Sequence, residues 1–327
     1  MARPGPAAAT LALLMALTSC SAEGVSDAGA DPAPARDTSE AATTPATIET
    51  SNGATLPLVY QDSPSIWVDL ADGNDIRDAA PGVRGDKQHP DWSPDGMRLA
   101  FDENFATIWV VHVDGTDEQA IYECVAPCAA VQDASWSPDG TQLAFMRVLG
   151  DGTHTVAAQV VVVDVASGDV RVVHEDRSGT AWVYQPRWSP DGKRIVLDRS
   201  VWASNLLDES VRRRTDLMIV TLGDGARLVR GTRGGQAPDW SPDGSSVVFE
   251  VSGRLALISP DGTGRRWLTR KTDGPSIQPT FLPDGTGVVF TSDGAAGPTA
   301  AAISLFDGTI TRVTSTVATH PRVRPTG

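Results

Sequence analysis

The chain has 327 residues, 40% of them hydrophobic, enough for one large domain or two ordinary ones with a sizeable core. Its formal net charge is −14 and its pI about 4.7, so it lacks the basic excess that neutralises phosphates, and a nucleic-acid partner is not expected. Much of the acid sits in Asp-Gly pairs, where the steric needs of turns account for it.

The first twenty residues, "MARPGPAAATLALLMALTSC", place one Arg before an apolar run from Ala7 to Leu17. That run is shorter than the ~20 residues that span a bilayer, and it predicts a secretory signal. It leads into "LTSC", Leu17 to Cys20, which resembles the lipobox of bacterial lipoproteins. The resemblance implies that Cys20 becomes the mature N-terminus and carries lipid, so 1–20 is read as a lipoprotein-type signal. Cleavage after Ala22, which discards Cys20, is the alternative. Two or more acyl chains, at ~0.8 kcal/mol per buried methylene, anchor stably. Residues 21–55 are mostly Ala, Thr, Ser, Pro, Asp and Glu. They cannot bury enough apolar surface to offset chain entropy. A disordered tether with an r.m.s. reach of about 30 Å is predicted there.

From residue 56 onward the chain repeats itself. The phrase "IWVDLADG" at 66–73 returns at 108–115, 160–168, 218–225, 255–262 and 301–308. The phrase "HPDWSPDGMRLAF" at 89–101 returns as "ASWSPDGTQLAF", "PRWSPDGKRIVL", "PDWSPDGSSVVF" and "PTFLPDGTGVVF". Its Trp falls at 92, 136, 188 and 240, with Phe281 in the fifth copy, at intervals of 44, 52, 52 and 41 residues. A period of that size predicts a solenoid or a propeller. In each unit β-forming residues follow "SPDG", where Pro presets the turn dihedral and Gly permits a positive one. The front phrase is therefore a hairpin of strands A and B. The back phrase is strand C, ending in a second Gly turn. "EQAIYEC", "VRVVHED", "ARLVRG", "RRWLTR" and "ITRVTS" follow as strand D. Four antiparallel strands per ~45 residues make a propeller blade.

Six back phrases stand against five front ones. The last residues, "HPRVRPTG" at 320–327, begin like the front phrase and stop before its turn. They are predicted as strand A of the first blade, with "LPLVYQD" at 56–62 as its strand B. The predicted fold class is all-β. It is a six-bladed β-propeller of four-stranded antiparallel blades over 56–327, with the N- and C-terminal strands closing one blade and removing open edges.

The repeated "PxWSPDGxxLAF" resembles the repeats of TolB-type propellers, bacterial relatives of the WD-repeat propellers. Five copies in register make the resemblance specific for fold. It implies an extracytoplasmic propeller that binds proteins or peptides. The family proper places an α/β domain ahead of its propeller, where this chain has the signal and the tether. The sequence holds no GxSxG, HExxH, P-loop or dinucleotide fingerprint. "DLADGNDIRD" misses the acid spacing of an EF-hand and is read as the C–D turn of the closing blade. No catalytic residues, no cofactor and no metal are expected, and the chain is expected to be a monomer.

Three groups of residues stand out. Cys124 and Cys128 are an even pair in an exported chain and predict a disulfide; two thiolates with no nearby His are only half a zinc site. Aligning the blades puts His89, Asp133, Gln185, Ala237, Gln278 and His320 at the start of strand A. All but Ala237 are candidate ligands at one mouth of the channel. Two His and one carboxylate from consecutive blades would suit a divalent metal; the alternative is that they hold channel water. On the same face, 199–216, 177–185 and the Cys pair read as long irregular connections. They carry Trp182, Tyr184, Trp202, Arg212, Arg213 and Arg214, candidates for docking an extracytoplasmic protein or peptide. Equally, Trp202, Leu206 and Leu207 would fold that loop onto its own blade. The Trp of the front phrase are read as packing between blades. The Asp of "SPDG" (Asp95, Asp139, Asp191, Asp243, Asp284) are read as turn formers.

Overall fold

A computed structural model describes residues 48–49, 55–69, 76–150, 153–203, 212–294, 297–314 and 317–325. Cys20, the predicted signal and most of the predicted tether lie outside them. The end of the tether stretch holds a small antiparallel pair, β1 (Ile48–Glu49) with β2 (Thr55–Leu56).

Six four-stranded antiparallel sheets follow. β3 (Leu58–Asp62), β4 (Ser65–Asp69) and β5 (Ile76–Asp78) belong to blade 1. Blade 2 is β6 (Lys87–Trp92), β7 (Arg98–Glu103), β8 (Thr107–His112) and β9 (Gln119–Glu123). Blade 3 is β10 (Cys128–Trp136), β11 (Gln142–Gly150), β12 (Thr155–Asp164) and β13 (Val170–Asp176). Blade 4 is β14 (Ala181–Trp188), β15 (Arg194–Trp202), β16 (Arg212–Thr221) and β17 (Gly225–Leu228). Blade 5 is β18 (Gly235–Trp240), β19 (Val247–Val251), β20 (Arg254–Ile258) and β21 (Arg266–Trp267). Blade 6 is β22 (Ser276–Phe281), β23 (Gly287–Gly294), β24 (Gly297–Ser304) and β25 (Ile310–Arg312). The C-terminal β26 (Thr319–Val323) pairs with β3 and completes blade 1. The six-bladed ring and its closure are thus as the repeat count predicts.

The core lies in the seams between blades. Strand B supplies the large residues: Phe101, Phe145, Leu197, Phe249 and Phe290 sit at one repeated position and are fully buried. Between blades 2 and 3, for example, Ile108 and Ala100 pack with Trp136, Phe145 and Val161. The front-phrase turn is self-supporting. Ser93 Oγ donates to Asp95 Oδ1 at 2.6 Å and accepts from Arg98 N at 2.8 Å, and Gly96 takes φ +66°. Ser189–Asp191 repeats this arrangement in blade 4. A carboxylate that accepts backbone and hydroxyl hydrogens fixes the turn.

Much of the chain read as irregular connection is strand. β14 begins at Ala181, β15 runs to Trp202 and β16 begins at Arg212. The three inner strands of blades 3 and 4 are 8–10 residues long, against 5–6 in blades 2 and 5. The extra residues alternate and keep pairing, Ala181 with Val201 and Trp182 with Ser200, so the backbone has ladder partners and needs no loop. Leu206 and Leu207 lie outside the described residues.

Candidate functional site

The site grows from one backbone feature repeated six times. His89, Asp133, Gln185, Ala237, Gln278 and His320 all take positive φ, between 49° and 61°. In each blade the A–B register shifts at this point, as between Gln88 and Asp91 in blade 2. Strand A then carries extra chain against strand B, a β-bulge, which re-aims the side chain. In five blades the next residue is Pro, which has no N–H to lose from the ladder. Because the A strands of neighbouring blades touch around the ring, the six bulges gather the candidate ligands at the channel mouth.

In four blades the bulge N–H is accepted by a side chain of the preceding blade. His89 N donates to Gln61 Oε1 at 3.3 Å and Asp133 N to Asp102 Oδ1 at 3.0 Å. Gln185 N donates to Asp133 Oδ2 at 3.1 Å and His320 N to Gln278 Oε1 at 3.0 Å. The mouth is therefore a hydrogen-bonded girdle. Gln61 and Asp102 come from strand B, a position that blade alignment alone does not single out. The signal is present nonetheless: the register places Gln61, Asp102, Met146, Asp198, Glu250 and Thr291 at equivalent points of six apolar strands, and five are polar.

Charge is concentrated on His89. Its Nδ1 lies 2.8 Å from Asp102 Oδ1 and its Nε2 3.6 Å from Asp133 Oδ1, and both carboxylates are buried. Burial works against the imidazolium, but Asp133 and Asp102 outweigh it and lift the His89 pKa to about 9. His320 stacks edge-on against His89, ring centroids 4.7 Å apart, and is the opposite case. Burial, then the positive charges of His89, Arg322 and Arg187, hold its pKa well below the usual imidazole value. A neutral ring suits its contact, since Gln278 Nε2 donates to His320 Nε2 at 2.7 Å. The two imidazoles are thus engaged separately. Among the described residues no group of three or more His, Cys, Asp or Glu is arranged to hold a metal ion.

Two residues further along strand A, beside the aromatic wedge, lies a second polar tier: Asp91, Ser135, Arg187, Asp239, Thr280 and Arg322. Arg187 and Arg322 are buried, yet both reach Asp91 Oδ1, at 3.8 and 4.0 Å. Side chains from blades 4, 1 and 2 therefore meet across the channel. Burial and the neighbouring Arg187 lower the Arg322 pKa to about 10. Asp91 Oδ2 accepts from Trp136 N at 2.9 Å, and Asp239 Oδ2 does the same for Phe281 N three seams further round. Sequence reasoning misses this tier because its charges alternate in sign and suggest no single ligand.

The predicted docking residues lie on the longer blades. Trp182 is buried, its Nε1 donating to Thr155 Oγ1 at 3.0 Å. Tyr184 and Trp202 stand 5.8 and 6.4 Å from it, and both are partly buried. Arg214 is half exposed and pairs with Asp216; the side chains of Arg212 and Arg213 lie outside those described. Cys124 and Cys128 form a disulfide, Cα–Cα 5.3 Å, that ties the end of blade 2 to the start of β10.

No protein-family model and no curated protein matches the chain. Solved structures do. TolB from Acinetobacter baumannii aligns at a TM-score of 0.63 and 17% identity over 83% of this chain. The chain spans 66% of that protein's length. A protein from Agrobacterium tumefaciens assigned to TolB aligns at 0.57 and 18%, over 77% of this chain and 95% of its own. An oligogalacturonate lyase in complex with manganese aligns at 0.51 and 18%, over 79% of this chain and 72% of its own. Identities this low speak for the fold alone.

Proposed function

The fold is a TolB-like six-bladed β-propeller, and we propose that this chain uses it as a non-enzymatic binding scaffold. In this reading it is a monomer, exported, and tethered to the membrane by lipid on Cys20, with a signal at 1–20, a tether at 21–55 and the propeller at 56–327. It docks an extracytoplasmic protein or peptide on the mouth face. One observation carries the reading: His89, the charged imidazole of the mouth, is engaged with the two buried carboxylates beside it. A general base needs a free lone pair and a pKa near the working pH. His89 instead points both ring nitrogens at carboxylates and has a pKa of about 9. Docking is supported by the partly buried Tyr184 and Trp202, which flank the buried Trp182 on the longer blades, and by the half-exposed Arg214. Aromatic and Arg side chains dominate binding energy at interfaces. Export is supported by the disulfide, a bond of oxidising compartments.

The test has two parts. Cys20→Ala should move the protein from the membrane to the soluble fraction. Crosslinking in the native cell, read by mass spectrometry, should name a partner whose binding to purified protein is then measured. Trp202→Ala and an Arg212/Arg213/Arg214→Ser triple should each weaken that binding, and for the Arg triple the melting temperature should stay unchanged. Unchanged binding in both variants removes this face. Turnover of an acidic oligosaccharide with manganese would replace the scaffold reading with an enzymatic one.

A further inference from the structure

The face opposite the mouth carries the "SPDG" turns, and there the blade seams share a device. Arg98, the first residue of β7, lays its guanidinium over the Trp136 ring of the next blade, 4.5 Å from the centroid. Arg194, at the same point of β15, covers Trp240 at 4.7 Å. Arg324, just past β26, covers Trp92 at 5.8 Å. The three covered rings are nearly sealed, at 5%, 4% and 4% exposure. A cation over an indole face is held by the ring's quadrupole.

The seam between blades 3 and 4 departs from this pattern. Its wedge is Trp188, and the residue in register with Arg98 and Arg194 is Gln142. No guanidinium lies over Trp188 among the described residues, and Trp188 is partly exposed. Its Nε1 has no hydrogen-bond partner, which it shares with the covered Trp136. Trp188 lines a cleft of about 430 Å³ together with Asp139, Gln142, Arg171, Asp191 and Leu222. Asp191 already meets Arg194 at 3.3 Å, and Arg171 is turned to Gln142 Oε1 at 3.0 Å. Asp139 is exposed and has no ion pair among the described residues. Hydrogen bonds from Ser137 and Thr141 hold its carboxyl below the ordinary carboxylate pKa, hence charged.

We infer that this cleft binds a guanidinium group, an arginine side chain presented by a partner, which takes over Trp188 the place that Arg98 and Arg194 take in the other seams. The ring supplies the cation's face contact and Asp139 the counter-charge. The comparison within one molecule is what selects guanidinium. Three seams of the same backbone show where such a group sits, and in this seam the place is left open. Phe281, whose seam also lacks an arginine, is buried and offers no face. The site lies on the opposite side of the ring from the mouth and does not depend on the mouth's role.

The test uses the full chain with N-acetyl-arginine amide and the tripeptide Gly-Arg-Gly as probes, and Gly-Lys-Gly as the control. Binding is followed by NMR at the Trp188 indole. Both arginine probes should shift that signal saturably and at lower concentration than the lysine control, since the planar guanidinium stacks on an indole face better than an ammonium does. Gln142→Arg should restore the internal arginine, raise the melting temperature and abolish probe binding. Trp188→Leu should also abolish it. Tighter binding of the tripeptide than of the amide assigns the site to a peptide; equal binding assigns it to the guanidinium alone. An unperturbed Trp188 signal, or probe binding that survives Gln142→Arg, overturns the proposal.

Discussion

Two imidazoles touch in the mouth and yet hold opposite protonation states, which sets how stability varies with pH. His89 has a folded pKa of about 9 against an unfolded value of 6.5. Its contribution is therefore complete below pH 6.5 and is lost as pH rises through 9. A shift of that size is worth about 3 kcal/mol. His320 is displaced downward, so its neutral form is the native one. Its contribution is complete above pH 6.5 and is lost as pH falls below that value. The two slopes meet near pH 6.5. Urea unfolding between pH 6.5 and 9.5 should show stability falling by up to about 3 kcal/mol, and His89→Gln should flatten that fall. An unchanged slope in the variant would assign the alkaline loss to another group. Blade alignment locates His89 because it recurs at a repeated position. It does not locate Asp102, whose role depends on cross-strand pairing and on the next blade, and neither is written in local sequence.

At the scale of the element, the β-bulge decides what the mouth looks like. Only a bulge lets strand A turn one side chain into the channel while its neighbours stay in the ladder. The left-handed backbone it needs is tolerable for His, Asp and Gln and strained for branched residues. Ala237 is the position where this is cleanest to measure, since its side chain has no polar atom and its φ is +49°. Ala237→Val should destabilise by about 1–3 kcal/mol, while Ala237→Gly should stay within about 1 kcal/mol of the parent, read by chemical denaturation. Equal effects would mean that packing, not backbone strain, governs the site. The Pro after five of the six bulges is a legible sign, though in the sequence it looks like part of the front phrase rather than a bulge. The long strands of blades 3 and 4 are harder to read. Trp, Ser and Arg at 199–202 fit a solvated strand end as well as a loop, and only their partners at 181–183 decide between them. The disulfide between β9 and β10 closes a very short loop, so Cys124→Ser with Cys128→Ser should cost at most about 2 kcal/mol. A larger loss would show that the bond also fixes the seam between blades 2 and 3.

At the scale of the whole molecule, the fold stands on one pairing between residues far apart in the chain. β26 pairs with β3, Val323 opposite Leu58 and Thr319 opposite Gln61. The count of six back phrases against five front ones makes this closure legible, because a ring must supply every strand once. What the count cannot show is how much else β26 carries. Val323 packs with Leu58, Tyr60, Leu282 and Val289, joining blades 1 and 6. The Arg322 carbonyl accepts Trp92 Nε1 at 3.0 Å, joining blades 1 and 2. His320 and Arg322 place charge and ring contacts in the channel. A chain ending at Ala318 loses all of these together and leaves β3 with an open edge, whereas a chain ending at Pro325 keeps them. The first should melt at least ~10 °C below the parent, since losing several buried contacts exceeds ~5 kcal/mol and each kcal/mol is worth ~2–4 °C in a domain of this size. It should also aggregate more readily, because an unpaired edge recruits other chains. The second should melt within about 2 °C of the parent. A synthetic peptide of residues 319–325 added to the shorter chain should recover part of the lost stability by filling the same edge, since a ligand that binds only the native form raises stability by mass action. If the chain ending at Ala318 melts with the parent, the ring is held by its seams alone and the closing pair is incidental.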